Sequence, residues 1–165
     1  MGSKRQRERE QRREKARERG EQVARCPDCP LQESLIDNLT PRELGDMGEE
    51  IAVCYLRERG YEIVERNYRC AEGEADIIAF DMDAEEVVLV EVKTRRARRI
   101  ADAPFPEEAV DERKRRRYRR IASCFAMAHF PIPALRFDVI AVTLAPGHEA
   151  AVEHLFGAFD WDAGL

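Results

Sequence analysis

The sequence predicts an α/β domain in which helices flank a mixed β-sheet, with the elements in the order α-β-β-β-α-β-β. Two observations predict this class. Apolar residues recur at helical spacing in two segments, and five short segments are rich in apolar, largely β-branched residues. The 165 residues fit one domain, since a domain has roughly 150 residues. We expect this domain to span residues 40–160, after a charged N-terminal tail and connector over residues 1–39.

The composition argues against a membrane or secreted protein. No apolar run exceeds five residues, whereas a membrane-spanning helix needs ~18 or more. Residues 1–22 lack the apolar stretch of a secretory signal. Five cysteines without a secretory context do not indicate a disulfide framework. We therefore expect a cytoplasmic protein that does not contact a membrane.

The tail and connector carry two weaker signals. Residues 1–22 hold nine basic and five acidic side chains and almost no apolar ones, which predicts a flexible tail. Tethering the domain to RNA is an alternative function for it. Cys26 and Cys29 have the spacing of half a zinc site, but a structural site needs four ligands and the sequence has no second such pair. An inert or redox-exposed pair is the favoured interpretation, with zinc binding as the alternative.

The first helix is predicted over residues 41–59. Thr40 is placed to be its N-cap, Pro41 its first residue, and Glu43 the partner that closes a capping box. Apolar residues then recur at helical spacing. Gly60 suits the position just after the end of the helix.

Three strands are predicted next, over residues 62–69, 74–80 and 86–93. The polar segment 81–84 between the last two is short, which predicts that they pair as a hairpin. The third segment is almost continuously apolar, as expected for a central strand that is buried on both faces.

A second helix is predicted over residues 106–128, and two more strands follow it. The helix has one apolar stripe, formed by Val110, Tyr118, Ile121, Phe125 and Ala128. A strand is predicted over residues 136–144 and a weaker edge strand over residues 151–156. Asp138 is predicted to have a structural role, as an anchor for Arg136 or for a loop.

Polar residues on two of the predicted strands form a candidate site. Glu91 and Lys93 are two residues apart on a strand, so they project from the same face. Asp76 lies on the preceding strand, and hairpin pairing would bring its carboxylate beside Glu91. Two carboxylates and an ammonium group suit a divalent cation with a phosphate next to it. The alternative is an ion pair of Lys93 with Glu91 or Asp76 that has no catalytic role.

Several motifs occur in a fixed order and resemble a known family. They are Leu44-Gly45-Asp46-Met47-Gly48-Glu49-Glu50-Ile51-Ala52, Arg66-Asn67-Tyr68-Arg69-Cys70, Gly73-Glu74-Ala75-Asp76-Ile77-Ile78-Ala79 and Val90-Glu91-Val92-Lys93-Thr94-Arg95. With these motifs the chain resembles the YraN-type family of small bacterial proteins, from about Leu44 to Phe156. That family is similar to the archaeal Holliday junction resolvases and to the PD-(D/E)XK nucleases.

The resemblance implies a restriction endonuclease-like fold and a DNA endonuclease that depends on Mg²⁺ or Mn²⁺. It implies Asp76 and Glu91 as metal ligands, and Glu49 on the first helix as a further ligand. Lys93 matches the lysine that orients the attacking water and stabilises negative charge on the phosphate. Branched DNA is a candidate substrate and a homodimer a candidate assembly, because junction resolvases act in pairs. The alternative is a catalytically silent nuclease-fold module that binds nucleic acid or a protein partner, since a fold does not determine an activity.

Basic residues cluster although the chain has a formal net charge of −5. One cluster directly follows the strand of Glu91 and is expected to contact phosphates beside the scissile one; it comprises Arg95, Arg96, Arg98 and Arg99. A second cluster spans residues 113–120. It indicates either a phosphate-binding surface or a solvated helix face. Within it, Lys114 is expected to extend into solvent or to approach phosphate near the site.

Overall fold

The computed structural model describes residues 36–98, 112–146 and 149–158, and these form a sheet flanked by two helices. Helix α1 spans Pro41–Glu58 and helix α2 spans Glu112–His129, after a short 3₁₀ turn at Ile36–Asn38. The five strands are β1 (Tyr61–Cys70), β2 (Gly73–Asp81), β3 (Glu86–Arg96), β4 (Leu135–Ala145) and β5 (Glu149–Leu155). The predicted class and element order are therefore confirmed. Neither helix is long and apolar enough to cross a bilayer.

Some predictions fall on residues outside the described ranges. They concern the tail over residues 1–35 with Cys26 and Cys29, the arginine at position 99, and the start of the second helix over residues 106–111 with Val110.

Helix α1 begins and ends where its sequence signals place it. The Thr40 hydroxyl accepts a hydrogen bond from the Glu43 N–H at 3.3 Å, and the Glu43 carboxylate accepts one from the Thr40 N–H at 2.8 Å. The helix ends at Glu58, one residue earlier than predicted, and Gly60 has a φ of +82°. A glycine tolerates this left-handed conformation, which turns the chain into β1.

The sheet has the order β1-β2-β3-β4-β5, so β3 is the central strand, as predicted. β3 is antiparallel to β2 and parallel to β4, which makes the sheet mixed. It extends to Arg96, three residues beyond its predicted end, because it pairs with β4 as far as Arg96 and Leu144. β5 pairs only with β4 and lies at an edge, as predicted.

The two helices cover opposite faces of the sheet. The core under α1 includes Ile51, Leu56 and Val90, whereas the core under α2 includes Leu89 and Tyr118. The stripe predicted for α2 is correct at Tyr118, Ile121 and Phe125 but wrong at Ala128, which is exposed. Met127 and His129 are exposed as well, so the last turn of α2 extends past the sheet and buries no side chain.

A buried ionic network joins four of the strands at the end of the sheet where β3 begins. The Arg136 guanidinium donates to the carboxylates of Asp81, Glu86 and Asp138 at 2.9–3.1 Å. The guanidinium is 3% exposed. Its positive charge holds the pKa of Asp138 well below the ordinary range, although burial alone would raise it. Asp138 also accepts from His154 at 2.9 Å and from the Gly157 N–H, so its predicted structural role is confirmed.

β2 and β3 pair over only part of their lengths. The ladder runs from Asp81 and Glu86 to Ile77 and Val90. β1 and β2 remain paired for several further residues, as far as Cys70 and Gly73. The β1–β2 hairpin therefore diverges from β3 after Val90, while β3 continues beside β4.

We expect Gly48→Ala to destabilise the fold by about 1–3 kcal/mol, because the helix backbone lies directly against Thr94 of β3 there. A Cβ at Gly48 would lie 2.7 Å from both Cβ and Cγ2 of Thr94, and rotation of the threonine cannot move its own Cβ away. Urea denaturation measures the loss. Gly45→Ala is the matched control in the same helix, since nothing lies within 4 Å of its added Cβ. The control should gain up to about 1 kcal/mol from helix propensity. Equal effects of the two variants would contradict the close approach.

Candidate active site

The point where β2 and β3 diverge brings Asp76 beside the predicted site residues of β3. Within the part of the chain that the structure describes, β3 has no strand partner on its β2 side beyond Val90. The Val92 N–H donates instead to Oδ2 of Asp76 at 2.7 Å. The Asp76 side chain therefore satisfies a backbone donor that the sheet leaves unpaired, and this contact fixes its carboxylate against β3.

Glu91 lies on the α2 side of β3 and is 7% exposed. Its Oε1 is bonded to the ammonium groups of Lys93 and Lys114, and its Oε2 accepts from the hydroxyl of Tyr118. Lys114 and Tyr118 are four residues apart on α2, so both face the sheet. Of the two environments predicted for Lys114, the structure shows the one near the site, where its side chain is 17% exposed.

These contacts decide which groups of the site carry charge. Burial raises the pKa of Glu91, but the bonds from Lys114, Lys93 and Tyr118 outweigh burial and bring the pKa below its ordinary value. Burial also raises the pKa of the Tyr118 hydroxyl, and the negative charges of Glu91 and Asp76 raise it further. At neutral pH the Tyr118 hydroxyl therefore stays protonated and donates a hydrogen bond, and the Glu91 carboxylate is ionised and accepts it.

The environment of Asp76 is less favourable for a negative charge than that of Glu91. Burial raises its pKa to about 6, and the charge of Glu91 contributes in the same direction. The Val92 N–H and Lys93 compensate only in part, and Glu49 on α1 adds a third negative charge. The Asp76 carboxylate is thus close enough to both other carboxylates to feel their charges.

Glu49 reaches this group from the α1 side of the sheet. Its Oε2 accepts from the Asn67 side chain at 3.4 Å and lies 3.9 Å from the Arg66 guanidinium. Burial raises the pKa of Glu49, and these two partners oppose the rise. Asn67 has a φ of +52°, a conformation that asparagine tolerates better than most residues.

The predicted phosphate-binding arginines differ in their surroundings. Arg95 donates to the Thr143 hydroxyl at 2.9 Å and lies 3.6 Å from Glu153. Arg96 donates to the backbone carbonyl of Leu39. Arg98 is exposed just beyond the end of β3. Arg95 is therefore engaged across β4 and β5, whereas Arg96 and Arg98 are both exposed.

Two residues of this site were missed by sequence reasoning. Tyr118 was assigned only to the apolar stripe of its helix, although its hydroxyl binds Glu91. Asn67 lies in the second of the family motifs, residues 66–70, but the sequence predicts no role for it. The signal for Tyr118 was its spacing from Lys114, because a tyrosine four residues from a lysine lies on the same helix face.

The donor chemistry of the site fits a divalent cation. Mg²⁺ and Mn²⁺ prefer carboxylate oxygens, and the mutual repulsion around Asp76 would be relieved by a cation. The Glu91 carboxylate is not open to such a cation in this arrangement, because two lysines and a tyrosine bind both of its oxygens. Within the described ranges, no three His, Cys, Asp or Glu side chains are placed to share one ion.

Comparison with known proteins identifies the family. The profile of the family described as "Uncharacterised protein family UPF0102" matches residues 48–142. A UPF0102 protein of Nocardia farcinica is 45% identical over 117 residues, covering 70% of this chain and 88% of the relative. The chain belongs to the UPF0102 family. Further UPF0102 proteins are 42% identical, from Renibacterium salmoninarum (72% of this chain, 97% of the relative) and Moorella thermoacetica (73% and 98%). The resemblance to the YraN-type family is thereby confirmed.

The UPF0102 match contains the whole candidate site. Its bounds include the residues from all five contributing elements, which are Glu49, Asn67, Asp76, Glu91, Lys93, Lys114 and Tyr118. β5 and the residues before Gly48 lie outside those bounds. The site therefore belongs to the part of the chain that defines it as a UPF0102 protein.

We expect Asp76→Asn to stabilise the metal-free protein at neutral pH. The folded state holds the Asp76 proton more tightly than the unfolded chain does, because the pKa rises from 3.8 to about 6. Wild-type stability should therefore fall as the pH rises through this interval and then stay lower. Since each pKa unit corresponds to about 1.4 kcal/mol, the ionised carboxylate costs up to about 3 kcal/mol.

The measurement is the free energy of urea unfolding in EDTA, taken from about pH 4 to above pH 6 so that it covers the pKa interval of Asp76. The gain of Asp76→Asn should be largest above about pH 6 and vanish near pH 4, while the asparagine still accepts from the Val92 N–H. Glu74→Gln is the control, because this carboxylate is more exposed and pairs with Arg69. A gain that does not vary with pH would show that ionisation of Asp76 carries no cost.

Proposed function

We propose that this UPF0102 protein is a metal-dependent phosphodiesterase that cleaves DNA, with branched DNA among its candidate substrates. The observation that carries the proposal is the convergence of Asp76, Glu91 and Lys93 where β2 and β3 diverge. Two carboxylates and a cationic side chain around one strand edge can bind a metal ion and a phosphate side by side.

In this proposal Asp76 and Glu91 would hold Mg²⁺ or Mn²⁺, and Glu49 would support them. Lewis-acid activation of the phosphate and of a water molecule is the chemistry that such an ion would supply when bound. Lys93 is the more accessible of the two site lysines, with 44% of its side chain exposed. It can orient the attacking water and stabilise the negative charge that develops on the phosphate. Lys114 and Tyr118 are positioning residues that hold the Glu91 carboxylate.

The first test is the cleavage of labelled linear, flapped and four-way-junction DNA in the presence of Mg²⁺ or Mn²⁺. We expect cleavage by the wild type, and a loss of roughly 100-fold or more in Asp76→Ala and Glu91→Ala. DNA binding should remain close to that of the wild type, because the basic residues are unchanged. Comparing the three substrates shows which DNA shape is preferred.

Two controls make the test decisive. Glu58→Gln removes an exposed carboxylate at the end of α1, which lies 4.0 Å from Arg59 and outside the site, and should cleave normally. Glu91→Gln keeps the shape of the side chain if Glu91→Ala unfolds, and circular dichroism reports the folding of every variant. Equal cleavage by the wild type and the folded site variants would refute the assignment.

A second candidate function is a catalytically silent module that binds nucleic acid or a protein. The favouring observation is that both oxygens of Glu91 are already bonded to Lys93, Lys114 and Tyr118. Calorimetric titration with Mn²⁺ separates the two candidates. The nuclease requires heat of binding that disappears in Asp76→Asn, whereas no heat together with no cleavage favours the silent module.

A further inference from the structure

The outer face of α2 carries a dense group of arginines apart from the candidate active site. Of the nine residues 112–120, seven are basic and one is acidic, in a chain whose net charge is −5. A cavity of about 690 Å³ lies on this face. Its lining, within the described residues, is Glu112 and the four residues that we name the arginine patch, which are Arg113, Arg116, Arg119 and Arg120.

The arginine patch and the site use different sides of one helix. Lys114, Tyr118 and Ile121 face the sheet, where Lys114 and Tyr118 bind Glu91 and Ile121 enters the core. Side chains at positions 113, 116 and 120 recur at intervals of three and four residues, so they share the opposite side. Arg116 is 73% exposed and Arg120 is 63% exposed.

Acidic neighbours neutralise the arginine patch only in part. Oε1 of Glu112 lies 3.6 Å from Arg116 and 4.0 Å from Arg119. The Arg120 guanidinium lies 3.2 Å from the carboxylate of Glu72. Among the described residues, these two carboxylates oppose four guanidinium groups, which leaves an excess of positive charge there. Exposed ion pairs of this kind contribute little to stability, so their arginines can exchange a carboxylate for a phosphate.

We propose that the arginine patch binds the phosphodiester backbone of a nucleic acid. Arg113 and Arg120 are seven residues apart, which is ~10 Å along the helix axis. Duplex DNA carries about one negative charge per 1.7 Å of its axis, so several phosphates lie within that length. The guanidinium group also matches phosphate geometry through paired N–H donors. Such contacts position a duplex without reading its sequence.

This inference rests on the proposed function for its choice of ligand and adds a second contact region to it. The two regions lie on the same turns of α2, since Lys114 follows Arg113 directly. Only the width of the helix, ~10–12 Å with its side chains, therefore separates the arginine patch from the site.

The test measures binding in EDTA, where cleavage cannot occur, by fluorescence anisotropy of short labelled DNA and RNA duplexes of equal length. Arg113→Gln/Arg116→Gln removes two exposed charges from the arginine patch. The matched control is Arg42→Gln/Arg57→Gln, which removes two exposed charges from α1. We expect the patch variant to bind DNA roughly tenfold more weakly, and the slope of log K against log salt concentration to shrink by about two. The control should change neither quantity appreciably.

Each result bears on the proposal. Equal losses of affinity in the two double variants would overturn the proposal, because total charge would then explain binding. Wild-type affinity in the patch variant would overturn it as well. Tighter, patch-dependent binding of RNA would support a backbone site and make RNA its ligand. If the wild type binds through the arginine patch but cleaves no DNA with Mg²⁺ or Mn²⁺, the proposed function fails while this inference stands.

Discussion

The carboxylate of Glu91 is buried in the central strand, and the arrangement around it follows from the need to compensate that charge. An unpaired ion in such a place destabilises a fold by several kcal/mol. Lys93 supplies one partner from the same strand, and Lys114 and Tyr118 supply two more from α2. Polar bonds thus fix α2 against the sheet in addition to its apolar contacts, and this position also determines where the arginine patch lies.

The molecule contains two clusters of buried charge that differ in access to solvent. The Arg136 guanidinium is 3% exposed, and the three carboxylates around it are at most 5% exposed. Such a closed network has no room for a ligand, and it joins the strands where β3 begins. At the candidate site, by contrast, 44% of the Lys93 side chain is exposed. Lys93 can move into solvent, so a ligand can replace it beside Glu91. A ligand site requires such an exchangeable partner, whereas a structural network does not.

Local signals made most of the fold predictable, whereas the partners of the site depend on tertiary packing. The capping box at Thr40 and the apolar run of β3 are each formed by residues that are close in sequence. The sequence alone is therefore enough to predict both, and the structure agrees. The approach of Asp76 to Glu91 followed from the hairpin. Tyr118 was missed because its partner lies 27 residues away in sequence and its spacing also fits an apolar stripe. Ala128 was misassigned because helical periodicity does not report where the supporting sheet ends.

The distribution of charge links the fold to the proposed chemistry. The chain as a whole is acidic, with a formal net charge of −5, and its net charge alone does not favour a polyanion. The outer face of α2 is a local exception, and its charge is held close to the diverging strands because α2 is bonded to Glu91. The attraction of this face for a polyanion favours an approach along α2. A helix that compensates a buried carboxylate with one side can thereby orient a phosphate backbone with the other.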